Sequence, residues 1–96
     1  MATYITLAKW TDQGARNAKE TVRRAASFRS DLERRGAKLL GIYWTQGQYD
    51  TVSIIEAPDA QTAMAAVLAI GSLGNVRTET LPAFSEREMT SILENV

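Results

Sequence analysis

Apolar positions recur along this chain at two spacings, and the switches between them lay out its elements. Residues 4–10 alternate, with Ile5 and Leu7 on one side and Tyr4, Thr6, Ala8 and Trp10 on the other. That period of two predicts a strand with both faces partly covered. Thr11 and Asp12 then offer helix caps, and Gly14 weakens the first turn. Residues up to about 17 therefore read as a separate short turn before a long helix to Arg35. On that helix Val22, Ala25, Phe28 or Arg29, and Leu32 form a narrow apolar stripe. Glu20 with Arg24, and Asp31 with Arg35, stand four apart in the favourable order, and Gly36 suits the helix end.

Residues 38–46 predict a second strand, with Leu40, Ile42 and Trp44 on one face and Leu39, Gly41, Tyr43 and Thr45 on the other. Gly47-Gln48 turns the chain into a third strand over residues 50–56. There Val52, Ile54 and Ile55 place apolar groups on both faces, as in a central strand. Pro58 stops the strand and Asp59 caps a helix over residues 60–73. Ala63, Met64, Val67, Ile70 and Gly71 share one side of it, and Gly74-Asn75 ends it. Residues 76–81 alternate as a fourth strand closed by Pro82, as suits a sheet edge. Ser85 and Glu88 form a capping box for a short terminal helix striped by Met89, Ile92, Leu93 and Val96.

This β-α-β-β-α-β order, with right-handed crossovers, predicts one four-stranded antiparallel sheet with both main helices on one face. The expected class is α+β and ferredoxin-like, in a single domain over residues 1–96. The other sheet face has no helix unless the terminal one reaches it. Tyr4, Trp10, Leu39 or Tyr43 must point there, which makes an apolar patch too large to leave wet. The simplest cover is the same face of a second copy, in a two-fold homodimer or a multiple of one. A small pocket between sheet and helices, or between subunits, follows.

Size and composition sharpen this picture. A chain of 96 residues hides only about 60–65% of its extended surface, so burial in an oligomer would add stability. There is no cysteine and no histidine. Disulfides, thiol nucleophiles and zinc fingers are thereby excluded, as is the usual general base near neutral pH. No basic leader or membrane-length apolar run is read, so a cytoplasmic protein without a membrane partner is expected. No cofactor is implied by the residues present. The eleven basic and eleven acidic residues are unevenly placed. Residues 9–38 carry a net of +5 and residues 39–96 a net of −5, with the basic excess mostly on one helix. A solvated helix face is the expected explanation, with an anion site or a charge-matched contact as alternatives.

Five strings stand out in order: Lys9-Trp10-Thr11-Asp12-Gln13-Gly14, Gly47-Gln48-Tyr49-Asp50, Glu56-Ala57-Pro58-Asp59, Leu73-Gly74-Asn75-Val76-Arg77-Thr78-Glu79-Thr80-Leu81 and Ala83-Phe84. Together they resemble the bacterial GYD domain family, named for Gly-x-Tyr-Asp, over residues 4 to about 89. The resemblance implies a dimeric α/β barrel on the ferredoxin-like fold and implies no activity. The wider group of such barrels includes cofactor-free oxygenases, lactone isomerases, chlorite dismutase-like proteins and haem-handling enzymes. Its haem members commonly ligate iron through histidine, which this chain lacks. Pro82 and Val22 depart from the pattern, where a basic residue and an early-helix proline are more frequent.

The candidate ligand-binding residues are Trp10, Tyr43, Tyr49, Asp50, Glu56 and Arg77. Asp50 either accepts turn N–H groups or serves as a base at a pocket rim beside Tyr49. Glu56 pairs with Arg77, or the two form a polar floor for a small acid or carbonyl compound. Trp10 sits where backbone N–H groups could hold an anion, and Tyr43 is core, interface or ligand platform. The third strand lacks the rings and basic residues by which RNA-recognition domains of this order stack bases, so no nucleic acid is expected. Two function classes remain. One is a self-associating module that binds a small molecule; the other is a cofactor-free enzyme with a carboxylate base.

Overall fold

The computed structural model describes residues 1–96. The chain runs β1 (Ala2–Trp10), α1 (Asp12–Arg16), a 3-10 turn (Ala18–Glu20), α2 (Thr21–Arg34), β2 (Lys38–Trp44), β3 (Thr51–Ala57), α3 (Ala60–Ser72), β4 (Val76–Ala83) and α4 (Glu86–Leu93). The four strands form one antiparallel sheet in the order β2-β3-β1-β4. This is the α+β, ferredoxin-like arrangement that the order of elements predicts. β4 continues through Pro82 to Ala83 on the sheet edge, where a missing N–H costs no ladder bond.

Local chemistry sets the helix starts. The Thr11 hydroxyl accepts from the Gly14 N–H, and the Asp59 carboxylate accepts from the Thr62 N–H at 2.7 Å. Ser85 and Glu88 make the reciprocal capping box of α4. Each acceptor satisfies a donor that the first turn leaves without a partner. Asp31 pairs with Arg35 as expected, whereas Glu20 pairs with Arg23, three residues on, and not with Arg24. The Glu20–Arg23 pair lies in solvent, whereas the Asp31 carboxylate, shared by Arg34 and Arg35, is largely enclosed.

The core is small. Phe28 and Leu32 of α2 meet Ile55 and Ala57 of β3 and Ala63 and Ala66 of α3. Only Leu32 and Ile55 are large side chains without exposure. Val22 and Met64, expected on the apolar stripes, instead face solvent. Ala25 and Phe28 carry the α2 stripe, and Ala66 with Val67 carries that of α3.

The two faces of the sheet differ from the sequence expectation. Tyr4 and Leu39 pack against the core on the helix side, and Trp10 shares that side of β1 with Thr6 and Ala8. Of the four residues expected on the open face, only Tyr43 lies there. The reason in β2 is a bulge between Leu39 and Gly41. One extra residue shifts the alternation, so Leu39 joins Ile42 and Trp44 on the helix side and Leu40 is left exposed. The open face is built instead from Ile5 and Leu7 of β1, Val52 and Ile54 of β3, Tyr43 and Leu81. The terminal helix does not cover it: no residue of α4 is buried, and Met89, Ile92 and Leu93 remain in solvent.

Candidate functional site

The helix-covered face holds a cavity of about 350 Å³, within the size range of small-molecule sites. Its position follows from side-chain length. At one end of the sheet the helices rest on Ile55 and Ala57 through Phe28, Leu32, Ala63 and Ala66. At the other end the floor is Thr6 and Ala8 of β1, Thr51 and Ser53 of β3, and Val76 and Thr78 of β4. These short groups do not fill the space beneath α2 and α3, so the close packing usual of an interior gives way to a void. Phe28, Ile70 and Leu73 form apolar walls.

The mouth of the cavity is assembled from distant segments. The Thr11 hydroxyl donates to the Gly74 carbonyl at 2.6 Å, and the Thr11 N–H donates to the Asn75 carbonyl at 3.0 Å. The Gln13 amide donates to the Leu73 carbonyl and to the Asn75 side chain, at 3.1 and 3.0 Å. Gly14 lies so near that a Cβ would collide with the Asn75 carbonyl oxygen. No side chain fits there, which explains a glycine inside α1.

Asp50 closes the same end. Its carboxylate accepts from the Trp10 N–H at 2.8 Å, while its own N–H donates to the Ala8 carbonyl at 2.8 Å. Its carbonyl accepts from Thr45, and Gly47 takes φ +117°, which only glycine adopts freely. Asp50 thus ties the β2–β3 hairpin to the end of β1. Tyr49 points to the open face, where its hydroxyl donates to Glu79 at 2.6 Å and the Lys9 ammonium lies 5.5 Å from its ring centre. The hydrogen bond to Glu79 is the main cause that raises the Tyr49 pKa, so the phenol stays protonated at neutral pH.

Of the six candidate residues, only Trp10 lines the cavity. Asp50 touches it through the Trp10 backbone. Tyr43 and Tyr49 lie on or beside the open face. Glu56 stands opposite Thr3 and Lys38 at the far end of the sheet, and Arg77 stands opposite Lys9 at the near end. Those rows stand six positions apart along β1, about 20 Å, so the expected Glu56–Arg77 pair does not form. Arg77 bonds the Val76 and Gly71 carbonyls instead. Sequence reasoning passed over Arg24, Thr51 and Thr78, all of which line the cavity. The available signal was Thr and Ser at alternate positions of strands that are otherwise buried.

A model of the GYD domain matches residues 4–93. The chain belongs to the GYD domain family. Among its relatives is the glutamine synthetase and cystathionine beta-lyase binding protein of Thermus thermophilus. The two are 35% identical over 95 residues, which covers 98% of this chain and 100% of the relative. Among solved structures, TTHA0845 from Thermus thermophilus superposes with a TM-score of 0.57 at 25% identity. That match covers 88% of this GYD domain and 95% of the other chain. Three of the family strings in this GYD domain, around Trp10, Asp50 and Asn75, meet at the cavity mouth. No helix of the domain is long and apolar enough to cross a membrane.

Proposed function

We propose that this GYD domain is a self-associating protein-binding module, which pairs with a second copy through its open sheet face and docks on a metabolic enzyme. One observation carries the pairing. The central strands place four large aliphatic groups, Ile5, Leu7, Val52 and Ile54, side by side on the face that no helix covers, whereas Ile55 is the one such aliphatic they place under the helices. A monomer gains nothing from that choice, whereas a two-fold partner turns the exposed stripe into a shared interior. The small intrachain core supports the same reading, because a domain of this size is stabilised by further burial.

The nature of the docking partner rests on the relative. A full-length relative named for binding glutamine synthetase and cystathionine beta-lyase favours an enzyme-binding role over catalysis, in the cytoplasm with such enzymes. Side-chain placement points the same way. Asp50 is occupied by Trp10, Glu56 lies at the opposite end of the sheet, and Tyr49 is held as a neutral phenol. None of these three lines the cavity, as the carboxylate base of an enzyme would.

Light scattering on the purified protein tests the pairing. The wild type is expected at twice the chain mass or a multiple of it. Ile54→Lys is expected to be a folded monomer, because a charge in the middle of the stripe cannot be buried unpaired. A wild-type monomer, or Ile54→Lys at the wild-type mass, would overturn the pairing. Surface plasmon resonance against glutamine synthetase and cystathionine beta-lyase from the same cells tests the docking. Saturable binding of either supports it, and binding of neither removes it.

A further inference from the structure

We infer that the cavity between the sheet and the two main helices binds a small organic acid, with Arg24 receiving the carboxylate and the apolar walls its hydrocarbon body. The site lies on the opposite side of the sheet from the proposed pairing surface and does not depend on it.

Charge is the first argument. Arg24 is half-buried and lines the cavity. It takes part in none of the ion pairs of the chain, which join Arg23 to Glu20 and both Arg34 and Arg35 to Asp31. Two backbone carbonyls fix its guanidinium: Asn17 accepts at 2.8 Å and Gly14 at 3.3 Å. Those contacts orient the group without neutralising it, and three of its five N–H donors stay free. The one acid on the lining, Asp31, is engaged by Arg35 at 2.8 Å and Arg34 at 3.4 Å. The cavity therefore carries an uncompensated, pre-oriented positive charge, which suits a carboxylate.

Lining chemistry is the second argument. Trp10, Phe28, Ile42, Ile70 and Leu73 offer flat and branched apolar surface, so the body of the ligand is hydrocarbon rather than sugar. The floor adds a few hydroxyls. Thr6 bonds Thr80, and the Ser53 hydroxyl donates to the Thr6 carbonyl. The Thr51 and Thr78 hydroxyls have no protein partner. No enclosed side-chain oxygen is left unpaired, so the Thr51 hydroxyl opens onto the cavity and is free to bond a ligand. An apolar body with one carboxylate and one further polar group matches this set.

Benzoate and hexanoate serve as probes, with benzamide as the neutral analogue of the first, and amide chemical shifts as the readout. Saturable shifts are expected around Ala8, Thr51 and Thr78 on titration with benzoate or hexanoate. Benzamide is expected to bind about tenfold more weakly, the effect of losing one charge-assisted contact. Arg24→Gln keeps a donor for the carbonyls and should abolish that preference, with benzoate falling to the level of benzamide. Ala69→Phe fills the cavity from α3 and should abolish all binding with the sheet shifts intact. The inference is overturned if neither acid gives saturable shifts at the floor. It is also overturned if Arg24→Gln keeps the preference for benzoate, or if Ala69→Phe binds as well as the wild type. Pairing is read from mass alone, so the two readings fail independently.

Discussion

Ile54 and Ile55 are the same residue type, adjacent in β3, and meet different surroundings. Ile55 is fully enclosed among Phe28, Leu32 and Ala66, whereas Ile54 stands half-exposed on the open face beside Ile5 and Gly41. The contrast extends across the sheet. Beneath the cavity the covered face is floored largely by threonine, serine and alanine, whereas the centre of the uncovered face carries isoleucine, leucine and valine. Hydrophobicity alone therefore does not say which face a chain covers for itself. It says which surfaces have to be covered, whether by helices or by another molecule.

Truncating the two isoleucines tests this contrast most directly. Ile55→Ala should destabilise the domain by about 2–5 kcal/mol, as expected for a large core side chain whose surroundings relax only in part. Ile54→Ala should cost little in a dilute monomer and progressively more as concentration rises and copies pair. Urea melts at low and high protein concentration read both effects. Equal losses at all concentrations would erase the distinction between the faces.

The next largest effect belongs to the mouth of the cavity. Gly14→Ala forces a methyl group against the Asn75 carbonyl and should cost about 1–3 kcal/mol by overpacking, with shifts at Leu73 and Asn75. Asp50→Ala leaves the Trp10 N–H without its acceptor and should cost about 1 kcal/mol. Trp10 fluorescence should change with it, since that ring lines the cavity. Neither change should alter the association state, because both lie at the covered side.

Acid titration gives the smallest effect. The Thr62 N–H holds the Asp59 carboxyl below its ordinary pKa, and the Ser85 N–H does the same for Glu88. Both carboxylates therefore stabilise the fold above their ordinary values of 3.8 and 4.5. That contribution is lost as pH falls through the lowered folded values. Asp59→Ala should flatten part of this acid limb in a circular dichroism melt and leave the neutral plateau's shape unchanged.

The order of elements was legible because period-two and helical spacings alternate cleanly, and because Asp59, Ser85 and Glu88 use standard capping chemistry. The bulge in β2 left no mark, since Leu39-Leu40-Gly41-Ile42-Tyr43-Trp44 is nearly all apolar and any phase fits it. The separation of Glu56 from Arg77 depends on strand register, which local pattern does not supply. Arg24 was one basic residue among nine in its region, and only the placement of Asp31 beside Arg34 and Arg35 sets it apart. A cavity is an absence of atoms, so its trace in sequence was indirect: short hydroxylated side chains where a buried strand ordinarily carries large ones.

The clasp of Thr11 and Gln13 onto Leu73, Gly74 and Asn75 also bears on the order of assembly. Its bonds join positions 60 to 63 residues apart. Closing a loop that long costs chain entropy before any contact repays it, and such links form late in a folding reaction. The β2–β3 hairpin and α2 can collapse early from local contacts, while the mouth waits for β4 to take its place beside β1. Substitutions in the clasp should then speed unfolding and leave the folding rate nearly unchanged.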